Sequence, residues 1–376
     1  MLRLLAKSLR GRRIRSWLAV AGVATCTLLV IVIASAYRSV RKAMTDYAGQ
    51  ASVDLWVAPQ GSDNMIRGSF ISFIPFGDVD RLREIPGVKA ADPIIQGFLP
   101  VESLGSEEPR KRLNLLTVGF RQPDGLGGPP AYAKGRAPRS RDEVALDKAA
   151  AHRLGIGVGD AIEFIGRRVV VTGLTTGTNI LASQFLFTDL DLAAEGSNAV
   201  GRASFVLVQL APGADRERVV RAIEERSPGV RAFSREEFVE SNEREVASGF
   251  IPLLALVTFL GVGASALLVG LLILSVVDER RGDIAVLMAL GTGANAVGRG
   301  VLAQAATLSF RGALIGVALS YGLNAVLEAV LPTIPLRISA LDAVLIAGLF
   351  IITGSASALA PVVRLSAIDP LEAFRS

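Results

Sequence analysis

The sequence contains very few of the residues that build metal sites and nucleophilic active sites. Among its 376 residues there is one cysteine, Cys26, and one histidine, His152. One cysteine cannot form an intrachain disulfide, and one residue of each type cannot supply the several His or Cys ligands that a zinc site usually has. A Ser-His-Asp hydrolase would have to use His152, which lies beside Arg153 on a predicted helix. The composition therefore argues against a zinc enzyme and against a serine hydrolase.

A phosphate-binding loop for ATP is also absent from the sequence. No segment matches the pattern GxxxxGK[ST], in which backbone amides and a lysine hold the phosphates. We therefore expect no cofactor and no metal in this chain, and no nucleotide hydrolysis by the chain alone.

The basic N-terminus indicates a segment that faces a membrane. The net charge of +5 is compatible with nucleic-acid binding, but six basic residues precede the first apolar run with no acid among them: Arg3, Lys7, Arg10, Arg12, Arg13 and Arg15. Such a cluster is typical of a cytoplasmic flank that faces anionic lipid. We expect a lipid bilayer, and no nucleic acid, as its partner.

Long apolar runs dominate the rest of the sequence, and hydrophobic residues make up 51% of the chain. A helix of about 20 residues crosses the hydrocarbon layer, and four runs are long enough: residues 16–37, 248–277, 300–327 and 343–363. The first is longer than the apolar part of a signal peptide, so we expect it to stay in the membrane. The third contains Arg311. Because a charged side chain in lipid costs free energy, we expect Arg311 to face a partner helix, a cavity or the headgroups. Packing and a polar pathway both remain open for it.

The short connecting segments predict the orientation of these spans. Residues 1–15, 278–299 and 364–376 are expected in the cytoplasm, and residues 38–247 and 328–342 outside. Arginines in short segments fall mainly on the inner side, as the positive-inside rule requires: Arg280, Arg281, Arg299, Arg364 and Arg375, against Arg337 outside. The sequence thus predicts a multi-pass protein of the cytoplasmic (inner) membrane with both termini in the cytoplasm.

The outer segment, residues 38–247, shows the patterns of an α+β domain. Predicted strands lie at 53–59, 113–120 and 203–210, and predicted helices at 78–84 and 214–226. Each of these helices is followed by Pro-Gly-Val and then a strand, so a strand–helix–strand unit occurs near each end of the domain. Two such units in one sheet are the ferredoxin-like pattern. The pattern of residues 121–197 predicts an inserted β-rich subdomain with a hairpin at 161–172.

Small residues recur at helix-packing spacing in the predicted spans, most clearly at Gly312 and Gly316. Such a GxxxG pair lets two helix backbones approach closely in lipid. Packing within one subunit and a seam between two copies are both compatible with the pattern.

The cytoplasmic segment after the second span predicts a short amphipathic helix. Ile284, Leu287 and Met288 share one face at i, i+3, i+4 spacing. An exposed apolar face on such a helix can dock another protein, and the alternative is a helix lying on lipid.

The same segment, ERRGDIAVLMALG, resembles the pattern ER-x-x-E-I-x-x-L-x-A-L-G of the MacB/FtsX/LolC-type ABC transporter permeases, with Asp283 for the usual acid and Met288 where a basic residue is common. Three more stretches are similar to that family: LRGRRIRSWLAVAGVA, GRAPRSRDEVALDKAAAHRLGIGVGD and APVVRLSAIDPLEAFR. The stretch VDLWVAPQGSDNMIRGSF looks closest to DevC-like permeases, which lack a fused ATPase domain. The resemblance covers nearly the whole chain.

The resemblance implies a homodimer or a heterodimer with a similar permease, joined to separate ATPase subunits that bind ATP and Mg²⁺. It assigns ATPase coupling to one set of residues: Glu279, Arg280, Arg281, Asp283, Ile284, Leu287, Met288 and Leu290. The expected function is export of an amphipathic substrate, such as a lipid, glycolipid, haem-like molecule or peptide, together with a membrane-fusion protein and an outer-membrane duct. The alternatives are an FtsX-like mechanotransmitter that activates a periplasmic cell-wall hydrolase, and LolC-like lipoprotein extraction.

Overall fold

The computed structural model describes residues 2–50, 52–65, 72–104, 110–180, 183–290, 292–330, 336 and 338–365. The predicted tail from residue 366 onward and parts of the predicted outer loop 328–342 lie outside the described residues. The chain forms two compact units. One, called here the membrane unit, comprises Met1–Ala36, Phe250–Ala329 and Leu336–Ser376; the other, the outer domain, comprises Tyr37–Gly249 and Val330–Pro335.

The regular elements follow in chain order. The helices are α1 (Leu2–Ala48), α2 (Phe76–Arg83), α3 (Lys148–Leu154), α4 (Leu190–Gly196), α5 (Arg216–Arg226), α6 (Arg235–Glu279), α7 (Arg281–Ala289), α8 (Ala294–Val330), α9 (Ala340–Ala356) and α10 (Leu359–Leu365). The strands are β1 (Leu55–Pro59), β2 (Ile74–Pro75), β3 (Val88–Ser103), β4 (Arg112–Phe120), β5 (Tyr132–Gly135), β6 (Glu143–Asp147), β7 (Ala161–Phe164), β8 (Arg167–Thr175), β9 (Asn179–Ile180), β10 (Ser183–Asp189), β11 (Arg202–Ala203), β12 (Phe205–Leu210) and β13 (Val230–Ser234).

Four helical segments of the described chain are long and apolar enough to cross a membrane, which confirms the predicted architecture. They are Ile14–Ala48, Arg235–Glu279, Ala294–Leu327 and Ala340–Val363, with peak mean hydropathies of 2.5, 2.5, 1.4 and 2.1. The value for α8 is the lowest of the four, and this is the helix that carries Arg311. Pro252 lies inside α6, which runs over 45 residues.

The GxxxG pair of α8 packs on α1 of the same chain. A Cβ added at Gly312 would lie 2.6 Å from the Cβ of Val23 and 3.0 Å from the carbonyl oxygen of Val20. A Cβ added at Gly316 would lie 2.6 Å from the carbonyl oxygen of Ala24. The contact therefore requires glycine at both positions, and it supports the reading of this motif as packing within one subunit.

Other small residues of the membrane unit also lie against neighbouring helices. A Cβ at Gly354 of α9 would overlap the hydroxyl of Ser309 on α8, and one at Gly261 of α6 would lie 3.5 Å from Cys26 and from Phe350. Close helix approaches of this kind supply the van der Waals contact that holds helices together in lipid.

The outer domain contains a ferredoxin-like sheet, as predicted. Its strand order is β13-β1-β12-β3, with every neighbouring pair antiparallel. Helices α2 and α5 follow β1 and β12 and bury apolar side chains against the sheet, among them Val79, Leu82 and Ile223. The repeated Pro-Gly turns end in left-handed glycines, Gly87 at φ 96° and Gly229 at φ 103°, a conformation that costs glycine little.

A second group of strands extends this sheet through the long strand β3. Residues 88–94 of β3 pair with β12, and residues 95–102 pair with β4. The order continues β4-β10-β6-β8-β5, and β7 pairs with β3 and β8. Strand β4 was grouped with the ferredoxin-like unit by its sequence, yet it pairs in the second group, because β3 has 16 residues and reaches both. The predicted hairpin at 161–172 corresponds to β7 and β8.

An aromatic cluster in the outer domain joins two helices to the sheet. Phe238 of α6 stacks on Trp56 of β1 with ring centroids 4.3 Å apart and planes 9° apart. The Trp56 indole Nε1 donates a hydrogen bond of 3.0 Å to the carbonyl of Ala48. Tyr47 of α1 donates one of 2.9 Å to the carbonyl of Gly127, and burial raises the pKa of this tyrosine. Residues 37–48 of α1 and 235–249 of α6 are thus fixed within the outer domain.

The GxxxG packing gives a matched pair of substitutions on α8. We expect Gly316→Ala to destabilise the protein by about 1–3 kcal/mol, since its methyl group would meet the Ala24 carbonyl and the Cβ of Thr27, 2.7 Å away. The control is Gly322→Ala, where the added methyl group has open space. Thermal unfolding of the purified proteins measures the difference, and equal melting temperatures for the two variants would contradict the packing.

Candidate functional site

The predicted coupling residues lie at the end of α6 and on α7. Helix α6 ends at Glu279, Arg280 is the residue before α7, and α7 runs from Arg281 to Ala289. Asp283 lies in the first turn of α7, where the helix dipole favours a negative charge. The side chains of Arg280, Arg281 and Asp283 are exposed.

The apolar residues of α7 divide into two groups. Ile284 is buried in the core of the membrane unit, and Met288, one turn later, packs partly against the same core. In contrast, Val286, Leu287 and Leu290 are 50%, 48% and 79% exposed. Residues 286 and 290 are four apart and residues 287 and 290 three apart, so they share a side of the helix. We call Val286, Leu287 and Leu290 the exposed apolar face.

The prediction that Ile284 and Met288 remain free for a partner together with Leu287 is therefore wrong for Ile284. Its side chain is already buried by the membrane unit itself. Helical spacing allows both groupings, because every position from 284 to 290 is apolar. The sequence could show that α7 is amphipathic but not which side packs inward. The coupling role of the eight residues stays a prediction.

An ion pair that the sequence analysis missed joins α6 to α1. The Arg15 guanidinium pairs with the Glu279 carboxylate and also donates a hydrogen bond of 3.2 Å to Ser275. Both charged side chains are partly exposed, so the pair contributes at most about 1 kcal/mol to stability. Its effect is to hold Glu279, the first of the predicted coupling residues, against the start of the first span. The sequence does contain a signal for this ion pair, since Arg15 directly precedes the first predicted span and Glu279 closely follows the second.

The membrane unit also contains a half-open cavity of about 580 Å³. Helices α1, α6 and α8 line it, with polar groups from Arg15, Glu279, Arg280, Gln304 and Arg311. Among the described residues, no side chain forms an ion pair or a hydrogen bond with Arg311. The sequence analysis expected a partner helix, a cavity or the headgroups around Arg311, and in the structure Arg311 lines a cavity.

His152 is an exposed residue of α3 in the outer domain.

Two family models match the chain and together cover most of it. The MacB-like periplasmic core domain matches residues 16–226, more than half of the chain, and the FtsX-like permease C-terminal model matches residues 255–370. The chain belongs to the MacB/FtsX-type ABC transporter permeases. The family resemblance of the sequence is thereby confirmed, while the closer similarity to DevC-like members stays a prediction.

Two relatives match the permease over most of its length. An uncharacterized ABC transporter permease of Mycobacterium tuberculosis is 27% identical over 353 residues, which is 93% of this chain and 91% of the relative. Another, of Mycobacterium bovis, is 25% identical over 356 residues with the same coverage of 93% and 91%. Both relatives are named as permeases, which agrees with a membrane transport subunit.

Two solved structures are similar to part of the permease. The periplasmic region of MacB from Actinobacillus actinomycetemcomitans shows 12% identity and a TM-score of 0.40, covering 52% of this chain and 94% of that one. The extracellular domain of the noncanonic ABC-type transporter YknZ from Gram-positive bacteria shows 15% identity and a TM-score of 0.35, covering 48% and 98%. Both likenesses are too weak to support a functional argument.

The division of α7 into a buried and an exposed group predicts that two truncations to alanine lower the stability of the permease by very different amounts. Ile284→Ala should cost about 2–5 kcal/mol because it leaves a cavity in the core of the membrane unit. Leu287→Ala removes an exposed side chain and should change stability by about 0.5 kcal/mol or less. Melting temperatures of the purified permease measure both. A larger loss for Leu287→Ala than for Ile284→Ala would show that α7 packs by its other side.

Proposed function

We propose that the permease couples ATP hydrolysis by a separate ATPase subunit to movement of its outer domain. The observation that carries the proposal is the exposed apolar face of α7, which directly follows the long helix α6. Two exposed apolar side chains on the nine-residue helix α7 and a third on Leu290, the residue that follows it, suit the groove of a protein partner. ATP and Mg²⁺ are bound by that partner, and α7 faces the cytoplasm, where the partner binds.

Helix α6 supplies the mechanical connection. Its 45 residues are hydrogen-bonded as one helix, and residues 235–249 are held in the outer domain by Phe238. A force on α7 can therefore pass along α6 to the sheet that contains Trp56. Pro252 lacks the amide that would bond to the carbonyl of Ser248, so α6 can bend at this position.

The permease works as a dimer with a second permease copy and exports an amphipathic substrate, in concert with a membrane-fusion protein. The support for export is the second group of strands beside the ferredoxin-like sheet, which adds surface to the outer domain beyond the ferredoxin-like unit. Substrates of this kind are lipids, glycolipids, haem-like molecules and peptides. The partner proteins that co-purify with the permease distinguish export from activation of a cell-wall hydrolase or extraction of lipoproteins.

The coupling role is tested by placing charge on the exposed apolar face. The double variant Leu287→Asp with Leu290→Asp should lose ATPase co-purification by at least about tenfold, because burying carboxylates in an apolar interface is costly. The matched control is Thr292→Asp with Asn295→Asp, which adds the same charge near the N-terminus of α8. The measurement is the yield of ATPase recovered with the tagged permease, normalised to the permease in the membrane fraction.

The outcomes separate the proposal from the alternative of a lipid-bound helix. Coupling predicts normal membrane levels for both double variants and partner loss for the α7 variant alone. A helix that only lies on lipid predicts weaker membrane insertion of the α7 variant with the complex intact. Recovery of the ATPase at wild-type yield by the α7 variant would show that this face is not the coupling surface.

A further inference from the structure

The cavity of the membrane unit has a composition unlike that of the apolar spans around it. Apolar side chains form most of its wall, including Trp17, Leu308 and Leu314, yet three arginines also line it. Its volume of about 580 Å³ falls within the range of ligand-binding sites. A cavity with apolar walls and a few convergent charges is suited to an amphipathic ligand.

The charges that line the cavity are predominantly positive. Arg15, Arg280 and Arg311 face one acid, Glu279, and that acid is paired with Arg15. In the described part of the chain, neither Arg280 nor Arg311 has a side-chain hydrogen bond or an ion pair. The Arg311 guanidinium, which lies within an apolar span, is unfavourable without a counter-ion. Arg280 adds a second positive charge to the lining of the cavity, so the site favours an anion.

The position of Arg311 on α8 agrees with an anion near the Gln304 end of the cavity. Gln304, Leu308, Arg311 and Ile315 lie on one face of α8 and all line the cavity. Arg311 is about 10 Å further along the helix than Gln304. Because helical side chains tilt toward the helix N-terminus, we expect the guanidinium to extend toward Gln304. The arginine and the amide can then bind the same group.

We propose that this cavity binds an anionic phospholipid of the surrounding bilayer, with the phosphate held by Arg280 and Arg311. Arginine suits this role because its planar group forms paired hydrogen bonds to phosphate oxygens. The acyl chains lie along Trp17 and Leu314, which are 65% and 58% exposed at the cavity edge. A small hydrophilic anion would leave these apolar walls unfilled, so the wall composition favours a lipid.

Because Trp17 lines the cavity, its fluorescence can report lipid binding there. Lipids with brominated acyl chains quench tryptophan on contact, and the other tryptophan, Trp56, is fully buried in the outer domain. The full-length permease is reconstituted in nanodiscs with brominated phosphatidylglycerol or brominated phosphatidylcholine in an unbrominated phosphatidylcholine background. The readout is the ratio of the mole fractions of the two brominated lipids that give half of the maximal quenching.

We expect phosphatidylglycerol to quench at a mole fraction on the order of tenfold lower than phosphatidylcholine. Arg311→Gln should remove most of this preference, and Arg311→Lys, which keeps the charge, should retain part of it. The control is Arg299→Gln, an exposed arginine of the same helix that does not line the cavity. It should leave the preference unchanged.

Three results would overturn the proposal. Equal quenching by both lipids in the wild type would show that the cavity does not select an anionic headgroup. An unchanged preference in Arg311→Gln, or an equal loss in Arg299→Gln, would place the selectivity elsewhere. Removal of the preference by inorganic phosphate would identify a site for a small anion instead.

Discussion

The stacking of Phe238 on Trp56 is the contact on which the proposed mechanism depends. It fixes the first turns of α6 to the central strand β1 of the ferredoxin-like sheet, and the Trp56–Ala48 hydrogen bond ties the end of α1 to the same side chain. Because Trp56, Phe205 and Phe238 are fully buried, truncation of any of them would cost several kcal/mol. The two long helices thus begin or end in a rigid part of the outer domain, and their movement there requires movement of the sheet.

The membrane unit combines close packing with a charged cavity. Gly312 and Gly316 bring α8 onto α1, and Gly354 brings α9 onto α8. The Arg15–Glu279 pair links α1 to the end of α6, next to α7. The same helices also leave room for the cavity that Arg311 lines. The cavity leaves the Arg311 guanidinium accessible inside an apolar span, so that a bound anion can balance its charge.

The features visible in the sequence were those specified by local periodicity. Hydropathy identified the four spans, and the repeated strand–helix–Pro-Gly pattern identified the ferredoxin-like sheet. Features that depend on which segments pack against each other could not be predicted from the sequence. Helical spacing could not show that Ile284 packs inward while Leu287 stays exposed, nor that Gly312 meets Val23 of the same chain. The shared use of β3 by two groups of strands likewise depends on pairing between distant segments.

Amide hydrogen exchange on the permease–ATPase complex tests the central claim most directly, because it reports on α7 and on the start of α6 in one experiment. The account predicts that residues 286–290 become protected when the ATPase binds. It also predicts that exchange in residues 235–249 changes between the nucleotide-free and the ATP-bound complex, since α6 transmits the movement. Protection of residues 286–290 together with identical exchange of residues 235–249 in both states would contradict transmission through α6.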